Sequence, residues 1–190
     1  VRRFHDTYHN ETVITQLGVQ GKSYADKLLI GLTAGKNYSE VQTGARLVSV
    51  FGQWHRRGTI LMPTFKYQKR DLFTKGLDVN VNANYNFGSE QNIDTVNRRY
   101  NWFQHNNNAV LTANAHYNFG IHTFAISNVF NSFNRIGSDA LNPDNDKYEQ
   151  PRKSQKNITG LSYQLNWEEK ASVSAFTKIY KQTNYFTLSY

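Results

Sequence analysis

The chain has 190 residues, with 22 Lys and Arg against 14 Asp and Glu, a formal net charge of +8 and no cysteine. Hydrophobic residues make up 38% and aromatic residues 14%, and the mean hydropathy is −0.67. These figures exclude disulfides, thiol catalysis and thiolate metal sites, while the aromatic load argues against a disordered chain and no apolar run approaches the roughly 20 residues of a membrane helix.

A hydrophilic chain rich in Tyr and Phe suits a wall one residue thick, greasy on one side and wet on the other. Val1-Arg2-Arg3-Phe4-His5 is not followed by an apolar core. No signal peptide is therefore read there, and the sequence is expected to start after processing or inside a longer protein. Basic residues are spread along the chain in short runs such as Arg56-Arg57, Lys69-Arg70, Arg98-Arg99 and Arg152-Lys153. A nucleic-acid footprint would cluster on one face or helix, so no nucleic-acid partner is expected.

In chain order, Thr12 to Val19 reads as a strand through Val13, Leu17 and Val19, and Asp26 to Ala34 through Leu28, Ile30, Leu32 and Ala34. Ala45 to Trp54 and Thr59 to Lys69 form a candidate hairpin across Arg56-Arg57-Gly58, with Pro63 marking a bulge or a weakly paired position. Leu77 to Phe87 is the clearest segment: Leu77, Val79, Val81, Ala83, Tyr85 and Phe87 alternate with Asp78, Asn80, Asn82, Asn84 and Asn86. Successive side chains of a strand point to opposite faces, so one face is apolar and the other polar. Ala109 to Phe119 repeats the pattern, with Thr112, Asn114, His116 and Asn118 on the polar side. Ile121 to Phe133 pairs back across Gly120. Thr159 to Trp167 and Ala171 to Ile179 follow, and Tyr185 to Tyr190 is a candidate tenth strand after nine.

The connections alternate in length. Phe119-Gly120-Ile121-His122 and Trp167-Glu168-Glu169-Lys170-Ala171 are tight, while 88–108 and 134–156 are long. The 70–76 connection falls on the short-turn rim and 56–58 on the other. Tight turns on one rim and long loops on the other are a feature of outer-membrane barrels. The expected fold is all-β: an antiparallel up-and-down transmembrane β-barrel, with residues 1–190 supplying nine or ten strands of a larger barrel and no plug domain.

Ser127-Asn128-Val129-Phe130-Asn131-Ser132-Phe133-Asn134-Arg135 resembles the asparagine-leucine-phenylalanine-asparagine box near the C-terminus of TonB-dependent outer-membrane receptors. His9-Asn10-Glu11-Thr12, the stretch Ser23 to Leu32, Arg99-Tyr100-Asn101-Trp102-Phe103 and Glu149-Gln150-Pro151-Arg152-Lys153 look like receptors of the Bacteroidetes type. The resemblance implies a barrel of twenty-two strands around an N-terminal plug. It implies import of a scarce nutrient such as an iron chelate, haem, a vitamin or a glycan, driven through TonB by way of that plug. It also implies contact with outer-membrane lipids and lipopolysaccharide, and with a surface lipoprotein. The chain lacks the plug and the TonB-contacting motif, and holds fewer than half the strands.

Arg98, Arg99, Tyr100, Trp102, Phe103 and His105 read as an outer-loop recognition surface, because aromatics supply buried area and Arg supplies directed hydrogen bonds; the plainer reading is a loop folded on itself. Asp78, Asn80, Asn82, Asn84, Asn86 and His116 are expected to face the lumen. His5 and His9 share a strand face, but nothing near them has metal-ligand spacing. Asp139, Asn142, Asp144, Asn145, Asp146 and Glu149 lack the glycine and spacing of a calcium loop. No nucleophile elbow, phosphate-cradling loop or paired helical carboxylates occur. The chain is thus expected to be neither an enzyme nor a cofactor or metal carrier. The alternatives to a receptor wall are a small stand-alone outer-membrane barrel, acting as pore or adhesin, and a soluble β-sandwich that binds carbohydrate.

Overall fold

The computed structural model describes residues 4–42, 54–93, 102–139, 152–167 and 171–186. They form eight strands: β1 (Tyr8–Lys22), β2 (Ala25–Glu40), β3 (His55–Lys69), β4 (Leu77–Ile93), β5 (Trp102–Phe119), β6 (His122–Asp139), β7 (Arg152–Trp167) and β8 (Ala171–Phe186). Each pairs antiparallel with its neighbour in sequence, in the order β1 to β8, giving one up-and-down sheet. Among the described residues there is no helix, and β1 and β8 are open edges rather than partners.

The strands are 15 to 18 residues long, well beyond the usual globular length of about 5–6. Each expected strand is present as part of a longer one, with Ile121 alone falling in the 120–121 turn, except Ala45 to Trp54, which lies almost wholly outside the described residues. The expected hairpin across Arg56-Arg57-Gly58 is corrected. These three residues lie inside β3 and pair with Ser39, Tyr38 and Asn37 of β2. The glycine there is a strand glycine, and the ladder simply continues past the apolar stretch. Of the expected strand Tyr185 to Tyr190, Tyr185 and Phe186 belong to β8, opposite Lys153 and Arg152, and 187–190 lie outside the described residues. Pro63 pairs with Leu32, but the β3–β4 ladder skips Met62 and Pro63 and resumes in unchanged register. The missing N–H weakens one side of the strand without a bulge.

The connections at one end are 23–24, 70–76, 120–121 and 168–170; at the other they are 41–54, 94–101 and 140–151. The long connections are thus shorter than 88–108 and 134–156, because β4 to β7 run on into polar sequence. The 70–76 turn needs three residues at positive φ, Asp71 (52°), Phe73 (64°) and Gly76 (89°). Asp71 Oδ1 accepts from the Gly76 N–H at 2.6 Å, and Asp78 Oδ1 accepts from the Asp71 N–H at 3.2 Å. A Cβ at Gly76 would sit 2.2 Å from the Asn118 carbonyl oxygen, so no other residue fits.

Among the described residues no second layer covers this sheet. Ala25 is the only buried hydrophobic side chain among the described residues, and Leu17 is 81% exposed. The accessible surface is 13846 Å², against about 9,300 Å² for a compact folded chain of this mass.

Candidate functional site

The register gathers the alternating apolar run of each of the eight strands on one face. The row through Ala83 runs Leu17, Ile30, Phe65, Ala83, Leu111, Phe130, Asn157 and Lys181. It is apolar across six strands and polar across the last two, because the apolar band slides from strand to strand. In β1 the band covers Val13 to Val19, with its midpoint one residue beyond Leu17 toward the long connections. In β8 it covers Ala171 to Ile179, with its midpoint six residues from Lys181 toward the short turns. That is a slide of about one residue per strand. With a rise of about 3.3 Å and a strand spacing of about 4.8 Å, the band lies at about 35° to the perpendicular of the strands.

Charged groups mark the edges of this band on β1 to β3. At the short-turn side, Asp26 meets Lys69 Nζ at 3.2 Å and Arg70 Nε at 3.5 Å. At the other side, Glu11 meets Lys36 Nζ at 2.9 Å and His9 Nε2 at 2.8 Å. Between Asp26 and Lys36 the same face of β2 carries only Leu28, Ile30, Leu32 and Ala34. Ten residues span about 33 Å along a strand, or about 27 Å perpendicular to a band tilted as this one is. Rings line both edges: Tyr85 and Phe87 (centroids 4.4 Å apart) at the long-connection edge, and Tyr117, Phe119 and Trp167 at the short-turn edge. Toward the short turns, His122 Nδ1 lies 2.8 Å from the Tyr163 hydroxyl.

The opposite face is mainly polar. It holds Asp78, Asn80, Asn82, Asn84 and Asn86 of β4, and His116 of β5 directly across from Asp78. Asn82 Nδ2 donates to Asn80 Oδ1 at 2.9 Å, and Asp78 is engaged in the 70–76 turn. Ile14, Met62, Val110, Val129 and Phe176 interrupt the polar character on either side of the asparagines.

The outer-loop cluster is divided. Arg98, Arg99 and Tyr100 lie outside the described residues, as do 140–151 of the acidic stretch. Trp102, Phe103 and His105 are not on a loop: they begin β5, opposite Asn92, Gln91 and Ser89. Among the described residues no group of three or more His, Asp or Glu is disposed to hold a metal ion.

Sequence reasoning missed a depression on the polar face, near the long connections. Gly35, Gly58 and Gly88 lie in two adjacent rows of β2, β3 and β4, with Ile60 between Gly35 and Gly88 in one row and Gly58 between Asn37 and Glu90 in the other. The resulting cavity of about 450 Å³ is bordered by Tyr8, Asn10, Asn37, Arg56, Asn86, Glu90 and Asn106. The Oδ1 atoms of Asn86 and Asn106, and of the adjoining Asn92 and Asn108, are buried without a hydrogen-bond partner. The available signal was glycine inside a strand, which marks close approach or a missing side chain, but only the register brings the three together. No family model, curated protein or solved structure matches the chain.

Proposed function

We propose that this chain is part of the wall of a transmembrane β-barrel in a bacterial outer membrane, in a TonB-dependent receptor that takes up a scarce nutrient. The observation that carries the membrane reading is the oblique apolar band. The charges that flank it stand about 27 Å apart across its height, which leaves room for the apolar belt of about 25 Å on such barrels, and its slope of about 35° suits their strand tilt of about 35–45°. Rings at both edges agree with interfacial girdles. In hydrocarbon every backbone N–H and C=O needs a partner, which an antiparallel ladder supplies except at its edges. A soluble β-sandwich would need a second sheet over the Leu, Val and Tyr face, and none is present among the described residues.

The receptor reading rests on the Ser127 to Arg135 box and the wet inner wall. On this reading the apolar band meets outer-membrane lipid and the rim of long connections meets lipopolysaccharide, a surface lipoprotein and the incoming small molecule or glycan. TonB engages a plug supplied elsewhere, and catalysis has no part. The test is fractionation of cells that make the intact protein, followed by electrophoresis with and without boiling. We expect recovery in the outer membrane and a mobility change on heating, with uptake lost when TonB is deleted. Recovery as a monodisperse protein without detergent would refute the membrane reading; uptake that persists without TonB would refute the receptor reading alone.

A further inference from the structure

Acidic side chains are spread unevenly over the sheet. Within the described strands they stand on β1, β2 and β4, as Glu11, Asp26, Glu40, Asp78 and Glu90, and at Asp139, the last residue of β6. The rest of β6, all of β7 and all of β8 hold none, yet carry Arg135, Arg152, Lys153, Lys156, Lys178 and Lys181. The register divides these cations. The row of Asp78 and His116 continues through Ala125, Ser162 and Phe176. It puts Arg135, Arg152, Lys156 and Lys178 on the polar face, and Lys153 and Lys181 on the face of the apolar band.

Arg135 pairs directly with Arg152. Like charges placed so repel, with Cβ atoms about 4.5–5.5 Å apart. None of the polar-face cations on these strands meets a carboxylate among the described residues, and Arg152, Lys156 and Lys178 are exposed. Lys156 follows Arg152 by four residues along β7, toward the short turns. Lys178 lies four residues further that way from Gln182, the partner of Lys156. At about 3.3 Å per residue each step is about 13 Å. Asn131 and Gln182 flank Lys156 and add carboxamide N–H donors.

We infer that this stretch of inner wall is a binding track for a small polyanion, a ligand bearing two or more carboxylate or phosphate groups. The Arg135–Arg152 pair is its first contact. A guanidinium grips either oxyanion as a fork, and an anion between the two arginines removes their repulsion. Lys156 and Lys178 extend the same field away from the rim of long connections. The inference rests on the barrel reading for which face is inner, and it names the charge of the ligand, which the proposed uptake leaves open.

The experiment is isothermal titration of the intact protein in detergent at low ionic strength, with citrate as the carboxylate probe and tripolyphosphate as the phosphate probe. Two double variants remove equal charge from opposite faces: Arg152→Gln with Lys156→Gln, and Lys153→Gln with Lys181→Gln. At least one probe should bind, tenfold or more weaker in the first double variant and within about twofold of the parent in the second, and more weakly as salt is added. The tighter probe tells carboxylate from phosphate. Heat-modifiable mobility reports folding of every variant. Absence of binding by both probes, or equal weakening in the two double variants, refutes the track while the barrel stands. So does binding seen only once Asp144, Asp146 and Glu149 are changed to Asn and Gln, since the arginines then answer the chain's own acids. Loss of heat-modifiable mobility in the parent itself overturns the barrel reading and, with it, the inference.

Discussion

At the scale of single residues, one step along a strand decides the solvent a side chain meets. Val81 and Asn82 are sequence neighbours near the middle of the alternating stretch of β4, yet they lie on opposite faces. If the apolar band meets hydrocarbon, Val81→Arg brings a charge close to the middle of the band and costs about 2–4 kcal/mol. Asn82→Arg stays on the wet side and costs little beyond its hydrogen bond to Asn80. Chemical unfolding of the intact protein in lipid vesicles measures both, and equal effects of the two would contradict a lipid-facing band. The turn residues act differently. Asp71 and Phe73 hold positive φ at a cost of about 1–3 kcal/mol each, which Asp71 and Asp78 offset by binding the backbone.

At the scale of elements, strand length and connection length carry separate information. Alternation reported only the stretch in which one face is apolar. Beyond it, in sequences such as Ser89 to Asn92 or Asn106 to Asn108, both faces are polar and the period of two vanishes, while the hydrogen-bonded ladder continues. This is why each strand is longer than its pattern and why Arg56-Arg57-Gly58 resembled a turn. The connections also differ in tolerance. Gly120, at φ 57° in a two-residue link, is bound by register on both sides, with Phe119 paired to His122. An eight-residue Gly-Ser insertion in 94–101 should leave the yield of heat-modifiable protein within about twofold, whereas the same insertion at 120–121 should lower it severalfold, because long links add little closure entropy and tight turns set register. Equal yields would mean that the short turns do not set the fold.

At the scale of the molecule, antiparallel pairing sorts the aromatics. Tyr85 and Phe87, and Tyr117 and Phe119, occupy the same place in their own strands, at the C-terminal end of the alternating stretch. Because β4 and β5 run in opposite directions, the first pair falls at one edge of the band and the second at the other. Trp167 closes the band on β7 at the short-turn edge and is 62% exposed. In vesicles of brominated lipid, a variant with Trp54→Phe and Trp102→Phe should show Trp167 fluorescence quenched most strongly by bromine near the headgroups. Strongest quenching by bromine at the chain ends would put the band at the wrong height.

The alternation of Leu77 to Phe87 and Ala109 to Phe119 determined by itself that these stretches are two-faced strands, because a period of two is a local property of extended backbone, and the tight link at Gly120 that the second runs antiparallel to the strand after it. It also determined which of the residues from Asp78 to Asn86 share a face, and that His116 falls on the polar side of its strand. Only the tertiary structure decided how far each strand runs, where Arg56-Arg57-Gly58 belongs, the slope of the apolar band and the meeting of Gly35, Gly58 and Gly88. These depend on register, which is set by pairing between strands tens of residues apart and leaves no mark within any one of them.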